Sequence, residues 1–374
     1  MHICPQCATI STIFYKIIFN IVMSSKKLLK TLRGQINAPP PLWFMRQAGR
    51  TLPEYKKVRA TVGSFMDLCL NPELAARVTL QPVERFDLDA AILFSDILIV
   101  PYGLGYGLTF EEGAGPIVTG CSLAAPHPFE ETTFYEKTAP IYETVTRVRA
   151  ALTAEKALIG FAGGPWTVAS YLFPVVTQGA KKDRFAPLLS HLIPQGVAFE
   201  PLLETLTTAT IYYLDQQIRA GAEVIQLFES WAGVLSPPLF RAWVLGPLRK
   251  IISAVKERHP QIPIIIFLKE ASGYLSWIIE TLGDLIAGIS LDHHVDPSYV
   301  RAVVPTTIAL QGGLDPRIVL AGGSILSQEV DRLLTAFADR PYIFNLSHGF
   351  LPETPLEHID AIVQQVRKFQ GVMA

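Results

Sequence analysis

Eight short apolar runs, most of them separated by stretches of helical periodicity, constrain this chain more than any other feature. The runs are PLWFM (41–45), AAILF (90–94), ALIGFA (157–162), EVIQLF (223–228), IPIIIF (262–267), AGISL (287–291), TIALQ (307–311) and YIFNL (342–346). Each is apolar at consecutive rather than alternate positions, as strands covered on both faces are. Amphipathic stretches between them include ELAARVTLQPVERF (73–86), ETLTTATIYYLDQQIRA (204–220) and SQEVDRLLTAFA (327–338). This alternation predicts an α/β chain, a single (β/α)8 barrel of the TIM type with its cleft at the C-terminal ends of the strands. A doubly wound open sheet is the structural alternative. It would bring a glycine-rich dinucleotide turn after the first strand, which Arg46-Gln47-Ala48-Gly49-Arg50 is not.

Composition fits one large core. Of 374 residues, 49% are hydrophobic and 17% charged, which excludes a disordered or fibrous chain. A net charge of −1 offers no field for nucleic acid, so a polyanionic ligand would need a local basic cluster. Four cysteines, two of them in Cys4-Pro-Gln-Cys7 and the others isolated at Cys69 and Cys121, make no disulfide framework. A reducing, cytoplasmic compartment is the expectation. Residues 10–23 are mostly apolar but too short to span a membrane, are interrupted by Lys16, and carry no cleavage signal. Residues 1–24 therefore read as an extension, with Met23 an alternative start, and residues 25–374 as one domain.

Polar residues follow nearly every run: Arg46, Ser95 with Asp96, Gly163 with Gly164, Glu229 with Ser230, Lys269, Asp292 with His293, Gly312, and Ser347 with His348. In a barrel these positions share one mouth, where chemistry collects. The segment MRQAGRTLPEYKK (45–57) packs Arg46, Arg50, Lys56 and Lys57 into one loop. Guanidinium forks suit carboxylates, and Ala48 and Gly49 let backbone N–H groups approach an anion. A solvated basic loop is the plainer reading. Asp96 is a carboxylate emerging from a buried strand, or a helix cap. Tyr171 and Ser230 could contact a carboxylate, or finish a core and a turn. Ser230 lacks the setting of an acyl-enzyme nucleophile. His348, in the stiff loop FNLSHGFLPETP (344–355), is a candidate proton carrier or carboxylate donor. His293 and His294 with Asp292 and Asp296 do not close a metal site, since adjacent histidines diverge. Lys269 raises Schiff-base chemistry, which Glu270 beside it would suppress.

Taken together, PLWFMRQAGRTLPEYKK (41–57), FSDILIVP (94–101), GFAGGPWTVASYL (160–172), QLFESWAG (226–233), LQGGLDP (310–316) and FNLSHGFLPETP (344–355) resemble the uroporphyrinogen decarboxylase family. The resemblance runs from about residue 25 to the end, in the family's order. It implies a (β/α)8 homodimer that converts uroporphyrinogen III to coproporphyrinogen III in tetrapyrrole biosynthesis, without cofactor or metal. It places the substrate-binding loop on Arg46, Gln47, Ala48, Gly49 and Arg50, the central carboxylate on Asp96, and further contacts on Tyr171, Ser230 and His348. Catalytic roles fall to Asp96, Arg46, Arg50 and His348. Departures from the family's usual residues are Thr51, Lys56, Glu229, His293, Gly313 and Ser347, and none removes a proposed catalytic group. A cobamide-linked methyltransferase is the nearest alternative, but its late thiolate ligands are missing, since no cysteine follows Cys121. A non-catalytic tetrapyrrole binder is the other; the retained Arg46, Arg50, Asp96 and His348 speak against it. No nucleic-acid or membrane partner is expected.

Overall fold

The computed structural model describes residues 26–49, 51–111, 115–123, 125–173 and 185–371. The expectation for residues 1–24 lies outside them. Nine strands occur among these residues: β1 Ala90–Ile92, β2 Gly107–Glu111, β3 Gly115–Thr119, β4 Ala157–Gly163, β5 Val224–Glu229, β6 Ile264–Leu268, β7 Gly288–Leu291, β8 Ala309–Gly312 and β9 Tyr342–Ile343. Seven form one parallel sheet in the order β1-β4-β5-β6-β7-β8-β9, while β2 and β3 make a separate antiparallel hairpin. Each sheet strand therefore pairs with the next one along the chain, apart from the hairpin between β1 and β4. The intervening helices complete parallel crossovers.

The strands form where apolar runs can be covered on both faces. Every residue of β1, β4, β6, β7 and β8 is buried. The three amphipathic stretches become the helices Pro72–Phe86, Gly196–Ala220 and Gly323–Ala336. The first is started by Asn71, whose side chain accepts the Leu74 N–H, and by Pro72, which needs no N–H partner at that position.

Side-chain bonds across the sheet show its curl. Gln311 of β8 donates to Gln226 of β5 at 3.2 Å and to Ser290 of β7 at 2.7 Å, and all three are buried. Strands three places apart can touch this way only if the sheet bends around a shared interior. The Trp43 indole donates to Gln311 at 3.0 Å and so reaches the same layer.

The first expected strand differs from the other seven. Leu42 makes a single parallel bridge to Phe344, and 41–45 forms no strand. The same short segment touches both edges of the sheet. Leu42 accepts the Asp89 N–H at 2.9 Å beside β1, and Pro41 accepts the Phe344 N–H at 2.9 Å beside β9. Pro39, Pro40 and Pro41 supply no N–H donors, and Arg46 turns the chain with φ 59°, so no longer ladder can form.

At the opposite end of the sheet Lys26 is fully buried, with its ammonium 2.6 Å from Glu223. Glu223 also holds Arg149 and the Leu158 N–H.

Candidate active site

Two segments at the C-terminal ends of the strands are stitched together. Met45 N–H donates to Asn345 Oδ1 at 2.9 Å, and Phe350 N–H to the Met45 carbonyl at 3.4 Å. Between those ties sit Arg46 on one segment and His348 and Gly349 on the other. The Arg46 stem lies so close over Gly349 that a Cβ there would overlap Cβ, Cγ and Cδ of the arginine. Arg46 holds a left-handed backbone at φ 59°, a conformation costing a non-glycine residue about 1–2 kcal/mol. Its side chain is exposed.

The neighbouring residues shape this turn. Gln47 is buried and points inward: its Oε1 accepts the Phe44 N–H at 2.9 Å and its Nε2 donates to the Ala90 carbonyl at 3.0 Å. Its amide is thereby used on backbone. Ala48 packs against the small cluster containing Phe94 and Val58. Gly49 takes φ 108°, which only glycine adopts without strain. Arg50, expected to pair with Arg46, lies outside the described residues.

Asp96 follows β1. Its Oδ1 accepts the Leu98 N–H at 2.8 Å, just before the helix Ile99–Gly103. The expected cap contact is thus present on one oxygen. The residue is half-buried, with protein packed closely around its carboxyl, and that burial pushes its pKa above the usual carboxylate range. The Leu98 N–H and the Arg46 guanidinium pull the other way. The charge of Arg46 therefore reaches Asp96, joining two of the residues singled out in the sequence.

Across the mouth, Tyr171 stands on the helix Pro165–Leu172, after β4. Its phenol accepts the Trp231 indole N–H at 3.2 Å. Ser230 is half-buried between Glu229 and Trp231, and its hydroxyl makes no hydrogen bond among the described residues. His348 leans toward β6, its ring 6.2 Å from that of Phe267.

Three inward-facing aromatics line the sheet here, and sequence reasoning missed them. Phe161 pairs in register with Gln226, and Phe228 with Phe267. Gln226 faces the interior, and Phe228 lies two residues further along β5, so all share that face. Their rings meet edge to face at 5.7 Å (Phe161–Phe228) and 5.9 Å (Phe228–Phe267). A two-residue alternation of Gln226 and Phe228 was the available signal, hidden inside an otherwise apolar run.

The other candidates are accounted for locally. Lys269 pairs with Glu270 at 2.9 Å and lies 5.4 Å from the Trp231 ring. His293 accepts an Arg317 N–H at Nε2 (2.7 Å) and bonds Ser347 through Nδ1 (3.0 Å). Burial, aided by the charges of His294 and Arg317 and opposed by Asp315, lowers its pKa, which suits a neutral ring accepting at Nε2. Asp292 accepts the Ser272 hydroxyl, and Asp296 caps the helix Pro297–Val303. Among the described residues, no three His, Cys, Asp or Glu side chains are grouped to hold a metal ion. No described helix is long and apolar enough to cross a membrane.

Asp96 thus lies within the field of Arg46, and the helix of Tyr171 is tied to the loop of Ser230 through Trp231, beside an aromatic lining. Known proteins share the fold and the sequence. A methyltransferase from Methanosarcina mazei superposes with a TM-score of 0.71 at 21% identity, over 91% of this chain and 97% of that one. At that identity the likeness concerns the fold alone. The uroporphyrinogen decarboxylase of Granulibacter bethesdensis is 47% identical over 346 residues, 92% of this chain and 99% of the relative. That of Chelativorans sp. is 45% identical over 349 residues, with the same coverage. A family model described as uroporphyrinogen decarboxylase (URO-D) matches residues 23–369. The chain belongs to the uroporphyrinogen decarboxylase family.

Proposed function

We propose that this chain removes the four acetate carboxylates of uroporphyrinogen III as CO2, giving coproporphyrinogen III in porphyrin biosynthesis. One observation carries the residue assignment: the Arg46 stem packs over Gly349, next to His348 in the chain, and its charge acts on Asp96, beyond the end of β1.

A pyrrole acetate loses CO2 only when the electrons of the broken bond have somewhere to go. Protonating the ring carbon beside the acetate creates a cation. The carbon–carbon bond then breaks, and its electron pair neutralises that cation as an exocyclic methylene. A proton adds to the methylene carbon, and the ring proton leaves. The net change per acetate is one proton taken up and one CO2 released. This requires a stabiliser of positive charge, a proton source and holders for the carboxylates.

Asp96 fills the first role in this reading. One of its oxygens already holds the Leu98 N–H, and a carboxylate has further lone pairs for pyrrole N–H groups. An ionised group held in a protein-lined cleft stabilises a cation far better than water would. Arg46 and Arg50 hold acetates and propionates, either being a candidate proton relay, although an arginine is a weak acid. Tyr171, Ser230 and His348 contact the outer carboxylates, His348 being a second candidate for moving protons. Backbone N–H groups of Ala48 and Gly49 assist, the Gln47 side chain being turned inward and its N–H given to the Phe44 carbonyl. These side chains cover every role, and the reading calls on no cofactor.

The same reading makes residues 41–43 the eighth stave of a closed (β/α)8 barrel, supported by their bonds to Asp89 beside β1 and Phe344 beside β9. It extends, on the family resemblance, to a homodimer in the cytoplasm. The test is incubation of the purified protein with uroporphyrinogen III, following CO2 and the oxidised porphyrin products. Coproporphyrin with four CO2 per macrocycle is expected. Unchanged uroporphyrin would refute the reading.

A further inference from the structure

Glu229 is a buried acid that the chemistry above leaves unused. It ends β5 with no exposed surface, and three donors converge on its carboxylate. Trp166 N–H reaches Oε1 at 3.1 Å; Thr167 N–H and the Thr167 hydroxyl reach Oε2 at 2.9 and 2.6 Å. All three come from the first turn of the helix Pro165–Leu172. Pro165 has no N–H, so Trp166 and Thr167 carry the first backbone donors of that helix. Gly164 makes the approach possible, since a Cβ there would overlap the Glu229 side chain.

The carboxylate sits at the base of a larger knot. The Thr167 hydroxyl that donates to Glu229 also accepts the Trp231 N–H at 3.2 Å. The Trp166 indole donates to the Trp231 carbonyl at 2.8 Å, and the Trp231 indole to the Tyr171 phenol at 3.2 Å. These bonds lock the helix bearing Tyr171 to the loop bearing Ser230. Every donor that meets Glu229 needs an acceptor, and both carboxyl oxygens keep an accepting lone pair in either protonation state. An amide would keep one accepting oxygen and turn an NH2 group against the remaining donors.

We propose that Glu229 is a positioning residue for substrate binding, fixing Tyr171 and Ser230 relative to each other through the Thr167–Trp231 knot. The proposal rests on the assignment of Tyr171 and Ser230 as substrate contacts. Glu229 itself touches no substrate; its effect is on where the two hydroxyls stand. Loss of the knot raises KM for uroporphyrinogen and leaves the chemical step at Asp96 largely intact.

The experiment compares KM and kcat of the full-length wild type with Tyr171→Phe, Ser230→Ala, Glu229→Gln, Thr167→Val and Thr167→Ser. Glu229→Gln is expected to raise KM about tenfold, the loss of one accepting oxygen from the knot, with kcat changed less than about threefold. Thr167→Ser should restore the wild-type KM that Thr167→Val loses. Glu229→Gln combined with Tyr171→Phe should raise KM by less than the product of the single effects, because the first already displaces the second. If Tyr171→Phe and Ser230→Ala raise KM while Glu229→Gln leaves it within about twofold, positioning is wrong and the contact assignment stands. If neither hydroxyl variant changes KM, the contact assignment itself fails and takes the proposal with it. Should Glu229→Gln not fold, the Thr167 pair decides: equal KM values for Val and Ser overturn the proposal.

Discussion

The side chain of Arg46 crosses Gly349 so closely that no other residue fits at 349 without moving it. The contact joins the loop after the first apolar run to the loop after the last, two segments about 300 residues apart in sequence. It also sets the arginine beside His348 and within the field of Asp96.

Gly349→Ala therefore displaces Arg46 while adding one methyl group. The backbone at 349 is not in the left-handed region, so alanine introduces no dihedral strain. We expect kcat/KM to fall at least about tenfold, as misplacement of a binding group does, with Tm lowered by only a few degrees. Steady-state kinetics alongside thermal unfolding check this. An active variant with unaltered kinetics would separate the glycine from the site.

Arg46→Lys keeps the charge and removes the planar fork. Kinetics with uroporphyrinogen should show kcat/KM reduced about tenfold or more, because an ammonium cannot bind a carboxylate in two-point fashion. Wild-type kinetics would remove the bidentate role.

The buried carboxyl of Glu229 gives a pH signature in stability. Burial pushes its pKa up to about 7 from an ordinary 4.5, the bonds from Thr167 and Trp166 only partly opposing that. Between those values the folded chain keeps a proton that the unfolded chain has released. Stability from this group is therefore greatest at low pH and falls as pH rises through the window. The full difference is about 3 kcal/mol, or about 4 °C in a chain of this size. The Tm of wild type relative to Glu229→Gln should accordingly rise as pH drops from 8 to 5. A pH-independent difference would show that Glu229 is ionised throughout.

Lys26 supplies a test far from the mouth. Glu223→Ala strands an ammonium of 1% exposure, and urea unfolding should register a loss of about 3 kcal/mol or more. Glu143→Ala breaks the exposed pair with Arg147, 52% and 51% accessible, and should cost no more than about 0.5 kcal/mol. Equal effects would mean that Lys26 is not buried in solution.

Seven strands and the major helices were legible because apolar runs and 3.6-residue periodicity report burial directly. The first run was not, because hydrophobicity does not register three consecutive prolines or a left-handed arginine. Asp96, Arg46 and His348 stood out in the sequence as polar residues after apolar runs, although the run before Arg46 forms no strand. The turned-in amide of Gln47 was not, since a sequence does not show which way a loop side chain points. Glu229 looked like a variation in a motif; its three donors come from a helix more than 60 residues earlier. The aromatic lining of Phe161, Phe228 and Phe267 arises from strand register, which apolar runs leave open.

The central claim is that a charge at Asp96 stabilises the cationic pyrrole. Measuring kcat for Asp96→Asn tests it most directly, because asparagine keeps the shape and the Leu98 contact while removing the charge. The account predicts a fall of about a thousandfold in kcat with porphyrin binding retained within about tenfold. A variant turning over at near the wild-type rate would contradict it.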